Sequence, residues 1–594
     1  MKKSAIALML SLFVSAGQVS VFAGSSAGKI KSIPSTVKKT AETTVQTTLT
    51  TETTTQKPLP NPGRGVRVVT TTAEVTEQTT EQTTEEVTVK EEETETTTKD
   101  TETVSASTEK RVEVTTINVE KYGENPTDAE GKPLTGDALN AYNVVRKTNK
   151  DKWTAITDVK PTVNVVHNDN VYTANQKVFK FPDNSEFNIT RYTFNSSLEE
   201  RLEQSLFIPG NSIEIRYVDP DTDSWYMSGN YENTSKQTLF IDTDTDHYIV
   251  SIPAVYKNNF ENNTLEYLPE LEEKITIQQS PSGYTLNFSF PVNEGFIGEL
   301  WYLKAGDTPL VDWNNWNHFA ILKQDLAQTR RFSWDGYYFP TPSNYTPYSP
   351  TTLYRQPSCY PGASFVQYGS FPATFDLAYV FIYTCMQNQS ELGYWPTSPK
   401  SGWLATDFNI GAGFYDTRFN TDFAESLLLA YKRYNNDDFL FALSKYCEFF
   451  IHHAEDNHYS TNNDGWLVQD YGYPYPHSNT HVSLNHQLSE INLLYKVYKI
   501  TYEQRYLDFA NKMLLAIEDT KGEWVLADNN LNYALYYTAN TNIMVDYPYL
   551  TYNDLKHTKE LYYDIYRKQN ETVEYLMKCK LEWMSENGVT GYEK

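Results

Sequence analysis

Cysteine is scarce in this chain. Cys359, Cys385, Cys447 and Cys579 are the four in 594 residues, and no CxxC or Cys/His spacing joins them, which excludes zinc-finger and dithiol redox motifs. An even number permits a disulfide or two in an exported chain, yet three of the four sit in apolar helical patterns, where a thiol behaves as a small core residue. Long apolar runs are missing too. The run from Ala5 to Val14 is about ten residues, short of the ~18 that a bilayer span needs, so no membrane span is expected. Basic charge is also in deficit: 50 Lys and Arg stand against 76 Asp and Glu, a formal net charge of −26. No basic patch is visible, and nucleic acid is excluded as a partner. His477, His481 and His486 do not fall on one helix face, so neither a metal nor another cofactor is expected.

The chain instead begins with a secretory pattern. Lys2 and Lys3 precede the apolar run, and Val21-Phe22-Ala23 is a small-residue cleavage site, which gives a signal peptide over 1–23 and a secreted, extracellular protein that is released or held at the surface without a covalent anchor. Residues 24–114 are rich in Thr and Glu and lack apolar periodicity, as in TTAEVTEQTTEQTTEEVTVKEEETETTTK, and read as a disordered spacer. Period-two segments such as SIEIRYV, QTLFIDT and GYTLNFSFPV, separated by Asp, Asn, Gly and Pro turns, predict an antiparallel β-rich sandwich or barrel over 115–310. An aromatic and proline-rich connection follows over 311–364. From 365 to 594 the period becomes helical, and FPATFDLAYVFIYTCM, apolar nearly all round with Pro372 in its first turn, predicts a buried helix. The class is multidomain α+β.

Within 365–594 helical hairpins repeat. ESLLLAYKRYNNDDFLFALSKYCEFF, SEINLLYKVYKITYEQRYLDFANKML and HTKELYYDIYRKQNETVEYLMKCKLEW superpose on Tyr431, Tyr495 and Tyr563, and a repeat at this period signals stacked hairpins. The same register aligns Thr421, Asn485 and Asn553, then Asp422, His486 and Asp554. Long loops precede each hairpin and gather on one rim, where a site can be built. They carry Trp403, Trp466, Tyr471 and Tyr475 beside His481 and Asn485, a lining of rings and hydrogen-bonding groups suited to a sugar, and these six are the expected substrate-binding residues.

The stretch YGYPYPHSNTHVSLNHQLSEINLLYKVYKITYEQRYLDFANKMLLAIEDT, followed by VDYPYLTYNDLKHTKELYYDIY, resembles the C-terminal domain of D-glucuronyl C5-epimerases over about residues 390–590. The resemblance implies an incomplete (α/α) toroid of about four hairpins behind β-rich domains, and removal and return of the proton at C5 of a hexuronic acid. That chemistry needs two acid/base groups and a cation beside the carboxylate. It assigns Tyr473, in the tyrosine-proline loop, and Tyr533 to proton transfer, with Asp470 polarising a tyrosine. The family's tyrosine-aspartate-leucine-arginine motif becomes NLNYALYY here, which keeps Tyr533 and lacks the arginine, so Arg418 is the substitute cation. A glycoside hydrolase would need two carboxyl groups instead, and Asp407, Asp416, Asp422, Asp470, Asp546 and Asp554 supply them. The sequence therefore reads as an exported polysaccharide-active protein with C5-epimerase-like or hydrolase-like catalysis. The alternatives are a non-catalytic binder of a polysaccharide or surface glycan, and a structural spacer or adhesin. Oligomeric state is open.

Overall fold

The computed structural model describes residues 159–219, 222–228, 237–259, 263–326, 331–536 and 546–593. The signal peptide, the spacer and residues 115–158 of the β-rich segment lie outside the described residues.

Thirteen strands form one antiparallel sheet. Its central strand, Phe296–Ala305, pairs along one edge with Glu186–Phe194 and along the other with His247–Val250 and then Ala254–Asn259. The sheet forks between those last two strands, where Pro253 cannot donate to a ladder. One arm continues to Ser224–Ser228, and the other runs through Thr264–Tyr267 and Thr352–Arg355 to Arg331–Ser333. The segment read as an aromatic connection thus supplies strands to this sheet. Along the central strands both faces are buried, and the period-two alternation sorts side chains between them. Phe187, Ile189, Phe240, Ile249, Trp301 and Leu303 face the helices. Tyr192, Phe194, Ile241, Val250 and Leu300 face a three-stranded sheet built from Arg201–Pro209, Thr276–Ser280 and Gly283–Pro291. The sandwich-or-barrel expectation resolves to a sandwich: among the described residues no pairing closes the sheet into a barrel.

Ten α-helices occur among the described residues: α1 (Trp316–Asp325), α2 (Tyr360–Tyr368), α3 (Pro372–Met386), α4 (Gly402–Phe408), α5 (Thr417–Tyr434), α6 (Asp437–Asp456), α7 (Leu484–Thr501), α8 (Gln504–Asp519), α9 (Leu550–Tyr566) and α10 (Glu571–Glu586). None is long and apolar enough to cross a membrane. Helix α3 starts on Pro372, a residue whose missing N–H costs nothing at that position, and buries nearly its whole surface. It lies between the sheet, with Phe381 stacked 4.5 Å from Phe332, and the first hairpin, with Tyr379 5.5 Å from Phe439. One core therefore runs from strands into helices. All four cysteines are buried and unbridged; the Cys359 thiol hydrogen-bonds Cys385, and burial pushes it well above the usual thiol range.

Helices α5/α6, α7/α8 and α9/α10 are the repeated hairpins, and α2, α5, α7 and α9 pack side by side in that order. Each first helix of the repeats ends on a left-handed residue, Asn435, Tyr502 or Arg567, whose N–H bonds back to the carbonyl of Tyr431, Tyr498 or Tyr563. The helix ends therefore equate Tyr431 with Tyr498, not with Tyr495. The middle hairpin sits one turn away from the register that the tyrosine spacing gives. Residues three apart share a helix face, so the apolar stripe fits either register, and only the turns decide.

Candidate functional site

The long loops are tied together where the inner helices begin. Tyr415–Asp416 pairs with Tyr471–Gly472, and Val482–Ser483 pairs with Ala534–Leu535. Asp416 caps α5 by accepting from Phe419 N at 2.9 Å. Ser483 precedes α7, and its N–H (2.7 Å) and hydroxyl both donate to the Asp470 carboxylate. His481 Nε2 lies 3.2 Å and His486 Nδ1 3.7 Å from the same carboxylate, while Thr417 Oγ1 and His486 Nδ1 are 2.7 Å apart. Burial alone would push Asp470 up, but the two histidines and the Ser483 hydroxyl outweigh it and hold the carboxyl low. Around this knot stand Tyr471, 5.8 Å from His481, Trp403, 5.9 Å from His481, and Tyr533, 6.2 Å from His481. Tyr471 and Tyr533 are buried, and burial pushes both phenols well above their ordinary value.

The remaining expected residues are dispersed. Tyr473 is half-buried against the apolar cluster that includes Ile410, Phe414 and Tyr471. Tyr475, 65% exposed, rests its ring 5.2 Å from that of Tyr473. Trp466 faces the other way, stacked 3.9 Å from His458 with Lys512 Nζ 3.8 Å over its ring. Arg418 and Asn485 come together, because Arg418 Nη1 donates to the Asn485 carbonyl at 2.9 Å. No contact joins Arg418, Tyr473 and Tyr533 directly. His477 is outside the knot, with Nδ1 2.9 Å from the Ser478 carbonyl oxygen. Among the described residues, no group of three or more His, Cys, Asp or Glu is placed to hold a metal ion.

Arg418 opens on a cavity of about 370 Å³ walled by α2, α5, α7 and α9. Its Nε donates to Asp422 Oδ1 at 2.9 Å, while Nη1 and Nη2 donate to Asp554 at 2.7 and 3.3 Å. Two carboxylates thus occupy two edges of one planar guanidinium, which fixes their relative position. Burial pushes the Asp554 carboxyl up, and Arg418 only partly offsets it. Deeper along α5, burial would raise Glu425, but Lys496 at 2.6 Å holds it low. The walls carry one repeated pattern: positions 422, 425, 429 and 432 on α5, positions 489, 492, 496 and 499 on α7, and positions 554, 557, 561 and 564 on α9 all line the cavity.

Glu490 is a buried acid that sequence reasoning missed. Its Oε1 accepts from Tyr446 at 2.8 Å and from Thr421, and Tyr446 is in turn 2.9 Å from the Tyr415 hydroxyl. The available signal was a lone glutamate inside the apolar run LSEINLLY. Burial pushes its carboxyl up to about 8. The folded state therefore holds a proton that the unfolded chain releases near pH 4.5, and stability falls as pH rises from there to about 8, by roughly 1.4 kcal/mol per pH step. Glu490→Gln is expected to remove that decline. Thermal melts of both proteins at pH 5 and pH 8 check it; parallel changes in the two would contradict the assignment.

No protein-family model matches the sequence, and no curated protein matches it. Several solved structures of carbohydrate-active proteins are similar over part of the chain. A glycoside hydrolase family 76 (mannosidase) from Bacteroides thetaiotaomicron is 16% identical with a TM-score of 0.29, over 39% of this chain and 59% of that one. A family 76 glycoside hydrolase from a bovine Bacteroides thetaiotaomicron strain is 11% identical with a TM-score of 0.34, over 67% and 75%. A D-mannose isomerase is 15% identical with a TM-score of 0.29, over 39% and 59%. This chain thus spans 59% of the length of the first and the third.

Proposed function

We propose that this chain is an exported carbohydrate-active enzyme that cleaves a glycan by acid–base hydrolysis. The pairs α2/α3, α5/α6, α7/α8 and α9/α10 form an incomplete (α/α) toroid whose inner helices enclose the substrate cavity. The observation that carries the reading is the pair Asp422 and Asp554, held around Arg418 on the wall of that cavity. Hydrolysis needs one carboxyl group that gives a proton to the glycosidic oxygen and one carboxylate that takes a proton from water. Asp554, raised by burial, is the donor, and Asp422 is the base. The bond from the anomeric carbon to the leaving oxygen breaks, the water oxygen takes its place, and a new reducing end appears.

The C5-epimerase-like reading draws on Tyr473, Tyr533, Asp470 and Arg418, of which Arg418 alone lines the cavity. Tyr533 and Asp470 are also sealed from solvent. One experiment separates the readings: the secreted protein is incubated with neutral and uronate-containing polysaccharides in deuterated water, and reducing ends and deuterium at C5 are measured together. New reducing ends are the expected result. Deuterium at C5 without cleavage would replace hydrolysis with epimerisation, and binding with neither product would leave a glycan-binding protein.

A further inference from the structure

The Lys and Arg side chains on the cavity wall are ion-paired, with one exception. Arg418 gives four of its five N–H groups to Asp422, Asp554 and the Asn485 carbonyl. Lys496 Nζ is 2.6 Å from Glu425, Lys499 Nζ is 2.8 Å from Asp564, and His557 Nε2 is 2.9 Å from Glu593. Glu560, the remaining acid of the lining, is 3.3 Å from Lys556. Lys432 also lines the cavity, and it is solvent-exposed. Among the described residues no carboxylate stands within ion-pairing distance of Lys432, so it is the one Lys or Arg of the lining outside an ion pair.

We propose that Lys432 is an anion subsite of the cavity and that it binds a uronate carboxylate of the glycan. The subsite belongs to the glycan cavity proposed above and rests on that reading. Four of the five Arg418 N–H groups are already taken, whereas the Lys432 ammonium has three donors and no acidic partner. Fourteen positions along α5 separate the two, roughly 21 Å at 1.5 Å per residue, so the recognised carboxylate lies on a sugar remote from the one that reacts. Binding energy from such a remote group serves the reacting end. Substrates shortened past Lys432 are therefore poor substrates, and chains rich in uronate are favoured over neutral ones.

The surroundings of Lys432 give the subsite a pH signature. The groups that face it are Gln367 on α2, Glu425 on its own helix, Lys496 and Lys499 on α7, and Glu560 and Asp564 on α9. Partial desolvation against the cavity wall, together with the like charges of Lys496 and Lys499, lowers its ammonium to about 8. A bound carboxylate favours the charged form, so binding takes up a proton between pH 8 and 9, and affinity falls as pH rises through about 8.

The test is titration calorimetry of the full chain with a hexameric oligouronate and with the same hexamer after its carboxyl groups are reduced to alcohols, in buffers of different ionisation enthalpy. The oligouronate is expected to bind at least about tenfold more tightly than the reduced hexamer, with proton uptake at pH 8.5. Lys432→Gln should lose that advantage and the proton uptake while keeping the melting temperature, and Lys432→Arg should restore most of the affinity. Equal binding of the two hexamers, no binding of either, or an unchanged K432Q titration would each overturn the subsite. Lys432-dependent binding without new reducing ends would remove only the hydrolysis reading. Cleavage of neutral glycans with no preference for oligouronate would remove only the subsite.

Discussion

Asp554→Asn is expected to lower the rate of glycan cleavage by about 10²–10⁴-fold, the range for losing a positioned proton donor, with little change in KM. The carboxyl sits on the first turns of α9, buried on the cavity wall, and receives Nη1 and Nη2 of Arg418. An asparagine of the same shape keeps one acceptor for Arg418 but has no proton to give the leaving oxygen. The pH profile distinguishes this role from a merely structural one. Burial raises the Asp554 carboxyl, so the wild-type rate, which depends on the protonated form, falls as pH rises through that raised value. The residual rate of D554N should lose this alkaline limb. Reducing-end assays from pH 4 to pH 9 measure both quantities, and wild-type activity in D554N would remove Asp554 from the mechanism. Asp422→Asn is expected to lower the rate as well, since an amide cannot take the proton from water.

The sequence carried the scaffold further than the site. Apolar stripes such as Phe423, Leu427, Leu428 and Tyr434 were legible because a buried helix face repeats every 3.6 residues, and the structure buries all four. The exchange of Phe187 and Ile189 against Tyr192 and Phe194 between two cores follows from period two alone. The strands Arg331–Ser333, Gly336–Pro340 and Thr352–Arg355 were not legible, because runs of three to five residues among prolines leave too little pattern. Asp422 and Asp554 aligned in the repeat and do meet, but at Arg418; a one-turn slip in the middle hairpin had placed His486 with them, where Ser489 faces the cavity. Loop aromatics read as a sugar lining were ambiguous for a simple reason: the apolar ring face that accepts a pyranose also accepts His458 and Lys512, as Trp466 shows. Glu490 and Lys580 were hidden because a charged residue in a helical pattern reads as solvent-facing unless tertiary packing says otherwise.

Lys580→Met is expected to destabilise the fold by about 3–5 kcal/mol, the cost of breaking a buried ion pair from one side. Lys580 lies on α10 and its side chain is fully buried. Its ammonium donates to Asn530 Oδ1 and the Tyr547 carbonyl, each at 2.7 Å, lies 2.8 Å from Asp546 Oδ2, and sits 4.6 Å over the Trp583 ring. Methionine fills most of the volume but leaves the Asp546 carboxylate, among the described residues, with only the Thr551 hydroxyl, 2.6 Å from Oδ1. Adding Asp546→Asn to Lys580→Met should recover part of the loss, because the stranded charge is then gone, and the non-additivity measured in a double-mutant cycle gives the coupling. The pair also matters for the site. Asp546 and Tyr547 lead directly into α9, Thr551 lies in its first turn, and Asp554 follows three residues later, within one turn of helix. Loosening this anchor lets Asp554 drift from Arg418, so K580M should lose activity at temperatures well below its own melting point, and D546N/K580M should regain stability without regaining the full rate. Denaturant melts paired with reducing-end assays read both effects; a K580M protein with wild-type stability would show that the buried ammonium is not an anchor.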